Sequence, residues 1–229
     1  MELAGTMPDE FIRARRPEHK QRRREAIIDA ARKLALRSGV ANVSLGGVAA
    51  EAGIAKSNVA RYFGTREEIY LLLASLELSS WASKVAERLG PPAGPEVVAD
   101  VLVGSLRERP LLCDLVVHSS VTLPDNASYE AVRAHKLTIL DAVMRLRAAV
   151  ATACPPLTGA RAGEVIVAAT GLTALLDQTA RHSHPFANHP DADADVVAAL
   201  SALQPDPGRL VAALIRGLLA SDADSSHDP

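Results

Sequence analysis

The sequence is poor in cysteine. Its 229 residues contain two cysteines, Cys113 and Cys154, without CxxC spacing and without a histidine at a zinc-finger interval. This scarcity argues against a disulfide framework and a zinc finger, and it is typical of a protein in a reducing cytoplasm. We expect neither a metal nor an organic cofactor.

Aromatic residues are also scarce, at 3%, whereas hydrophobic residues make up 48% of the chain. Most of the hydrophobic residues are Ala, Leu and Val, and alternating runs of Val, Ile, Thr and Tyr between short turns are hard to find. This composition can supply a sizeable core and favours helices over strands. We therefore predict an all-α protein.

Motifs for catalysis and for membrane insertion are missing as well. The chain has no GxSxG, phosphate-binding loop or HExxH pattern, so we expect no enzymatic activity. The N-terminus lacks the apolar core of a signal peptide. The longest weakly polar run, Val165 to Leu176, is shorter than the roughly 18 residues of a spanning helix. These absences predict a cytoplasmic protein without a membrane partner.

The net charge of −2 hides an asymmetry along the chain. Residues 1–66 contain 13 Lys/Arg and 7 Asp/Glu, whereas the remaining residues contain 12 and 20. A basic front and an acidic rear indicate that only the front meets nucleic acid, although an ordinary solvated face would also be basic. The motif within the basic part favours nucleic acid.

That motif is Ser44 to Arg66, SLGGVAAEAGIAKSNVARYFGTR. Apolar residues three and four apart give its first half one inner face, and Gly53 allows the left-handed turn that ends a helix. In a second short helix, Val59 and Phe63 fall on the inner side. The outer side then carries hydrogen-bond donors, cations and one phenol. Two short helices joined by a glycine turn, with a basic outer face on the second, predict a DNA-reading helix-turn-helix.

An ordered set of residues extends the motif on both sides. The set is Ile27, Ala30-Ala31, Gly39, Ser44, Val48-Ala49, Ala52-Gly53-Ile54, Tyr62-Phe63 and Thr65-Arg66-Glu67-Glu68-Ile69. It closely resembles the N-terminal DNA-binding domain of TetR-type repressors. The resemblance implies an all-helical homodimer whose C-terminal domain binds a small-molecule effector and thereby releases a DNA operator.

One departure from the family concerns the start of the second short helix. The family usually has serine where this chain has Ala55, and alanine cannot accept a capping hydrogen bond. Ser57 is the alternative cap and would start the helix one turn later.

Two groups of residues are predicted to contact a double-stranded DNA operator. One group would meet base edges or nearby phosphates, and the other would mainly grip the DNA backbone. Ser44 is also expected to cap the first short helix, and Thr65 and Glu68 are expected to form a capping box. The first group is Lys56, Ser57, Asn58 and Arg61, and the second is Ser44, Tyr62 and Arg66.

The chain divides into four predicted segments. They are a flexible basic arm (1–20), the helix-turn-helix domain (21–66), a helical ligand-binding and dimerisation domain (67–221) and a disordered tail (222–229). The first helix is predicted from Gln21 to Ser38, with Gly39 as its stop. Prolines and glycines separate the later helices, which we place from Thr65 onward and at 96–109, 110–122, 126–153, 158–181 and 207–220.

The last two of these helices carry broad apolar stripes. In the family the equivalent helices pair with their copies as a four-helix dimer interface, so we expect a homodimer through 158–181 and 207–220. Burial within one monomer is the alternative. A ligand cavity is expected among the middle helices, although polar residues on apolar helices are more often satisfied packing residues. The candidates to line it are Cys113, His118, Tyr129, His135, Asp177 and Gln178.

A histidine- and aspartate-rich stretch follows, from His182 to Asp195. Its side chains suit a metal ion, but its proline and its lack of a visible fixed geometry favour a solvated connecting loop. We therefore predict a ligand-responsive DNA-binding regulator, a repressor by resemblance. A DNA-architectural or protein-interaction factor on the same fold is the main alternative, and a hydrolase centred on His182 and His184 is a remote one.

Overall fold

The structure, a computed structural model, describes residues 9–157 and 159–225, and it describes the side chains of residues 19–157, 159–181 and 188–221. Every regular element in these ranges is helical, so the all-α prediction is confirmed. Short 3-10 turns lie at Val40–Asn42 and Pro124–Asn126. The helices are α1 (Asp9–Ser38), α2 (Leu45–Glu51), α3 (Lys56–Tyr62), α4 (Arg66–Arg88), α5 (Pro95–Arg107), α6 (Pro110–Val121), α7 (Tyr129–Ala153), α8 (Gly159–Ala187), α9 (Ala194–Ala202) and α10 (Pro207–Ser225).

The first helices form the predicted helix-turn-helix arrangement. Helix α1 ends at Ser38, and Gly39 follows with a φ of 79°, a left-handed conformation that glycine adopts readily. Gly53 ends α2 with a φ of 66°, and α3 begins three residues later. Helix α1 covers α2 from behind, and buried side chains of α1 to α4 share one core.

The start of α1 differs from the prediction. The helix begins at Asp9, so the segment from residue 9 to 20 is not a flexible arm. Arg, Glu, Lys and Gln are good helix formers, and the segment has no apolar period by which a helix could have been predicted. Residues 1–8 and the side chains of Arg13, Arg15 and Arg16 lie outside the described part.

Helix α4 joins the two halves of the molecule. Its first turns, including Ile69 and Leu73, lie in the core shared with α1 to α3. Further along, Trp81 and Val85 lie in a second core formed with α5 to α8 and α10. Helix α7 packs along much of α4. A displacement of α4 would therefore reach both cores.

The C-terminal third contains more helix than the sequence indicated. The backbone of 182–187 continues α8, so the predicted loop from His182 is wrong there, and the side chains of His182 and His184 lie outside the description. Helix α9 is a second correction, because Asp193 Oδ1 accepts hydrogen bonds from Asp195 N at 2.9 Å and Val196 N at 3.2 Å. This capping starts a helix in a stretch expected to be a loop. Helix α10 continues to Ser225, so the predicted disordered tail is wrong over residues 222–225, and residues 226–229 are not described.

Helix α8 also corrects the argument from hydrophobic length. The stretch Gly159–Arg181 has 23 residues and a mean hydropathy of 1.3, enough by length and composition to cross a membrane, and it is the one such stretch in the described chain. In this structure α8 packs against α5, α6, α7 and α10. The core helix of a soluble protein satisfies the same criterion, so the stretch is weak evidence for a membrane span.

A buried carboxylate fastens the helix-turn-helix domain to the helices behind it. Asp114 of α6 accepts a hydrogen bond from Val40 N at 2.7 Å through Oδ2 and one from Gln178 Nε2 at 2.6 Å through Oδ1. The 3-10 turn after α1, α6 and α8 thus meet at one side chain. Because buried hydrogen bonds to a charged group are among the stronger ones, Asp114 is a structural anchor.

We predict that Asp114→Ala lowers the free energy of unfolding by about 2 kcal/mol, because the buried Val40 N–H loses its acceptor. Urea unfolding at neutral pH measures the loss. The matched control is Asp125→Ala, an exposed aspartate in the second 3-10 turn, which should stay within about 0.5 kcal/mol of the original protein. Equal losses in both variants would contradict the anchoring role.

Candidate DNA interface and ligand cavity

Helix α3 is held by its apolar side. Val59 is fully buried and Phe63 is 4% exposed, and both lie in the core shared with α1, α2 and α4. Ala55 is the N-cap and makes no side-chain capping bond, and the helix starts at Lys56. The alternative in which Ser57 caps the helix one turn later is therefore wrong. Packing rather than capping keeps this seven-residue helix in place.

The opposite side of α3 is open to solvent. Lys56, Ser57, Asn58 and Arg61 are all exposed, as the periodicity predicted, and Tyr62 is half-buried. No ion pair joins Lys56 or Arg61 to another side chain that the structure describes. The two cations are therefore available to an external anion.

Helix α1 adds cations to the same surface. His19, Lys20 and Arg23 surround one surface depression together with Asn58, Arg61 and Tyr62. The sequence analysis assigned Lys20 and its neighbours to a flexible arm and did not predict this placement. Helical spacing of Lys20 and Arg23 was the available signal, because residues three apart share one helix face.

Ser44 and Thr65 cap their helices as predicted. Ser44 Oγ accepts a hydrogen bond from Gly47 N at 3.0 Å at the start of α2, and Ser44 is exposed. Thr65 Oγ1 accepts one from Glu68 N at 3.2 Å at the start of α4. Both caps satisfy backbone N–H groups that have no partner within the helix.

The Glu68 carboxylate makes a contact that reaches beyond its own helix. Its Oε2 accepts a hydrogen bond from Gly64 N at 2.9 Å, and its Oε1 accepts one from Ser128 N at 3.1 Å. Hydrogen bonds from Ser128, Gly64 and Thr65 lower the pKa of Glu68, the Ser128 side chain having the largest effect. Glu68 therefore links the start of α4 to Ser128, which is the N-cap of α7.

Arg66 turns inward rather than toward solvent. Its guanidinium donates hydrogen bonds to the carbonyl oxygens of Val40 and Val43, lies 3.0 Å from Glu67 Oε1 and stacks 5.2 Å from the centre of the Tyr70 ring. These contacts fasten α4 to the segment between α1 and α2. Of the predicted DNA-binding residues, Arg66 has the geometry least suited to a phosphate contact.

The structure scatters the predicted ligand-binding residues. Cys113 is buried in the core, where desolvation raises the pKa of its thiol to about 12, and Tyr129 is 75% exposed. His118 and Gln178 border a cleft between α1, α6 and α8, and Asp177 borders a depression near α10. His135 alone of the six lines the cavity between α4, α6, α7 and α8. The structure therefore does not bring the six candidates together at one cavity.

We call the space between α4, α6, α7 and α8 the sensor cavity. It measures about 240 Å³, somewhat below the roughly 300 to 1,000 Å³ of pockets for drug-sized ligands. Its lining is mainly aliphatic and includes one indole. Representative apolar residues of the wall are Leu78, Trp81, Leu112, Ile139, Val143 and Ile166.

His135 is the titratable side chain of this wall. It is 3% exposed, and desolvation, assisted by the nearby Lys136, lowers the pKa of its imidazole from 6.5 to about 4. Its Nδ1 lies 2.9 Å from Ser75 Oγ, and its Nε2 has no hydrogen-bond partner among the described residues. The imidazole is therefore neutral at neutral pH and presents one unused nitrogen.

The cavity also contains hydroxyl groups that were not predicted to line it. Ser119 and Ser120 of α6 and Thr170 of α8 line it, although none was among the candidates. A hydroxyl residue within an otherwise apolar helix was the sequence feature that could have identified them. For metal ligands, the described side chains contain no group of three or more His, Cys, Asp or Glu that could hold an ion. The side chains of His182 and His184 are not described, so this absence does not include them.

Comparisons with known families agree with this arrangement. Residues 27–73 match the model of bacterial regulatory proteins of the tetR family, and residues 75–222 match a tetracyclin repressor-like C-terminal domain. The chain belongs to the TetR family. It is therefore a TetR-family transcriptional regulator with a helix-turn-helix domain and a C-terminal helical domain. A comparison with curated protein sequences found no match.

Solved structures share the fold at low sequence identity. A protein from Rhodococcus sp. RHA1 named as a transcriptional regulator is 19% identical with a TM-score of 0.52, covering 82% of this chain and 98% of that one. FadR from Bacillus subtilis, solved in complex with stearoyl-CoA, is 13% identical with a TM-score of 0.50, covering 85% and 97%. Such identities establish a common fold and leave the ligand of this TetR-family chain to its own residues.

We predict that His135 makes the protein less stable in mild acid. Because the folded-state pKa lies below the unfolded value, the unfolded chain takes up a proton first as the pH falls, and the free energy of unfolding drops between pH 6.5 and about 4. From pH 7 to pH 5 the loss from this group is about 2 kcal/mol.

Urea unfolding at both pH values measures the effect. His135→Asn should lose less stability between the two pH values than the original protein, whatever its stability at pH 7. The control His189→Asn, at an exposed histidine, should keep the original pH dependence. An unchanged pH dependence in His135→Asn would show that another group is responsible.

Proposed function

We propose that this TetR-family regulator is a repressor that binds a palindromic DNA operator as a homodimer and is released by a small molecule. The observation that carries the proposal is the exposed basic face of α3 above a buried apolar underside. Donors on such a face can meet base edges in the major groove, while neighbouring cations meet phosphates. Lys56, Ser57, Asn58 and Arg61 are the proposed readers, and Ser44 and Tyr62 the proposed backbone contacts.

A homodimer is supported by exposed apolar surface on α8. Val167 and Leu175 are 64% and 54% exposed, and Gly171 lies between them at helical spacing. A Cβ atom added at Gly171 would meet nothing within 4 Å in one protomer, so a second helix has room to approach closely. Helix α10 packs beside α8 and offers Leu210, 36% exposed. A two-fold axis at this surface would place two α3 helices for half-sites about 34 to 36 Å apart.

Release by a ligand is supported by the course of α4. Leu78 and Trp81 of this helix line the sensor cavity, and α4 begins directly after α3. A ligand that favours one position of α4 would also favour one spacing of the two α3 helices. Coupling between such sites is typically about 1 to 3 kcal/mol.

The same proposal places the protein in the cytoplasm, where a regulator meets DNA. Membership in a family of DNA-binding regulators supports a non-enzymatic role, and α8 packs against four helices while its exposed apolar residues lie in the proposed dimer surface. We therefore propose neither a membrane partner nor a catalytic site.

We predict that Arg61→Ala weakens operator binding about tenfold or more, because it removes a charged donor from the reading face. An operator is first selected from random duplexes with the full-length protein, and affinities are then measured at one fixed salt concentration. Arg133→Ala, at an exposed arginine of α7 outside the proposed reading and dimer surfaces, is the matched control and should bind like the original protein. An Arg61→Ala affinity within about twofold of the original would contradict the assignment of α3 as reader.

An architectural factor is the second candidate. It is favoured by the missing side-chain cap on α3 and by Ala55 and Ala60, whose exposed methyl groups offer no hydrogen bond on this surface. A sequence-specific regulator should bind the selected duplex about a thousandfold or more tightly than a scrambled one at the same salt concentration. A ratio near one would favour the architectural role.

We predict that Leu175→Arg shifts the protein from dimer to monomer, because it places a charge in the proposed apolar interface. Sedimentation at micromolar concentration measures the change. Leu203→Arg is the control, since Leu203 is 76% exposed at the end of α9 and should leave the dimer intact. A monomer in the original protein would refute the dimer proposal outright.

A further inference from the structure

Among the residues that the structure describes, the walls of the sensor cavity hold no acidic or basic side chain besides the imidazole of His135. An anion inside would therefore lack a cation to pair with, and a cation would lack a carboxylate. Placing an unpaired charge in such an environment is strongly unfavourable. The cavity thus selects against charged ligands by its composition.

The hydroxyl groups of the wall have already used their protons. Ser120 Oγ donates to Val116 O at 2.9 Å, and Thr170 Oγ1 donates to Ile166 O at 2.7 Å. Ser119 Oγ also donates to Val116 O, at 3.4 Å. Because a hydroxyl has one proton and two lone pairs, these oxygens can only accept further hydrogen bonds.

The indole of Trp81 is occupied in the same way. Its Nε1 donates to Ser105 Oγ at 2.8 Å, so the N–H is not available to a ligand. The polar atoms of the wall therefore act as acceptors.

The tautomer of His135 follows from its neighbour. We assign the imidazole proton to Nδ1, because Ser75 Oγ can donate its single proton to Leu71 O at 2.9 Å and then accepts from His135 Nδ1, which lies 2.9 Å away. A neutral imidazole with its proton on Nδ1 has a lone pair on Nε2. Nε2 has no hydrogen-bond partner among the described residues. Because His135 is only 3% exposed and lines the cavity, bulk water does not replace that partner. A buried acceptor of this kind is satisfied when a ligand supplies a donor.

We propose that the sensor cavity binds an uncharged, mainly apolar hydroxyl compound, an alcohol, whose hydroxyl donates a hydrogen bond to His135 Nε2. The inference rests on the proposed ligand-responsive function and adds the chemical class of the ligand. The aliphatic wall contacts the hydrocarbon part, and the lone pair of His135 sets the orientation. A carboxylate of the same length lacks the donor and brings an unpaired charge.

Fluorescence of Trp81 provides the test, because it is the single tryptophan of the chain and lies in the cavity wall. The full-length protein is titrated with 1-octanol, with its methyl ether and with octanoate. The alcohol should change the fluorescence saturably and bind roughly three- to tenfold more tightly than the ether, which has no donor. Octanoate should bind more weakly than both. Equal affinities for alcohol and ether, tighter binding of octanoate, or no response to the alcohol would each overturn the proposal.

Two variants at position 135 test the role of Nε2. His135→Asn keeps a side-chain N–H near Ser75 but has no acceptor at the Nε2 position, so the preference for alcohol over ether should disappear. His135→Gln can place its carbonyl oxygen near that position and should keep part of the preference. Urea unfolding checks that both variants fold. Loss of the preference for alcohol over ether in both variants, or in neither, would contradict the assignment to Nε2. The comparison of the three ligands in the original protein tests the ligand class even if a variant does not fold.

Operator binding measured in the same samples separates this inference from the proposed function. Alcohol binding that leaves operator affinity unchanged would support the ligand class and refute release by such a ligand. Operator release by octanoate, with no preference for the alcohol, would support release by a small molecule and refute the proposed ligand class.

Discussion

A short helix is unstable in water, and we propose that this regulator reads DNA with one. Helix α3 has seven residues and no side-chain cap, so its position depends on the burial of Val59 and Phe63 against α1, α2 and α4. The same constraint explains why the proposed reading face can be largely polar. Since the underside supplies the stability, the outer residues are free to be chosen for hydrogen bonding.

Because α3 depends on the helices that it packs against, contacts made by distant parts of the chain also determine its position. Arg66 binds the segment after α1 from the start of α4, Glu68 binds the N-cap of α7, and Asp114 binds Val40 from α6. These contacts converge on the region where α3 passes into α4. In our proposal, a ligand acts through this region, because α4, α6 and α7 all line the sensor cavity.

Local signals in the sequence were sufficient for the helix-turn-helix. The turn at Gly53, the caps at Ser44 and Thr65 and the buried side of α3 each depend on residues within a few positions of one another. The contacts of Asp114 with Val40 and Gln178 span 74 and 64 residues, and no local pattern selects such partners. The ligand candidates failed for the same reason. A polar residue on an apolar helix is visible in the sequence, but the helix that it faces is determined by packing.

Helix α6 belongs to both cores of the molecule. Leu111 and Leu115 pack with α1 to α4, whereas Leu112 and Cys113 pack with the helices of the C-terminal half. In a hybrid regulator that joins these N-terminal helices to the C-terminal domain of a relative, the face of the relative's α6 that contacts α1 to α4 would not fit them. Exchanging C-terminal domains within this family would therefore require transferring Leu111 and Leu115 together with helices α1 to α4. A single junction in the chain cannot achieve this, because the two cores meet within α6.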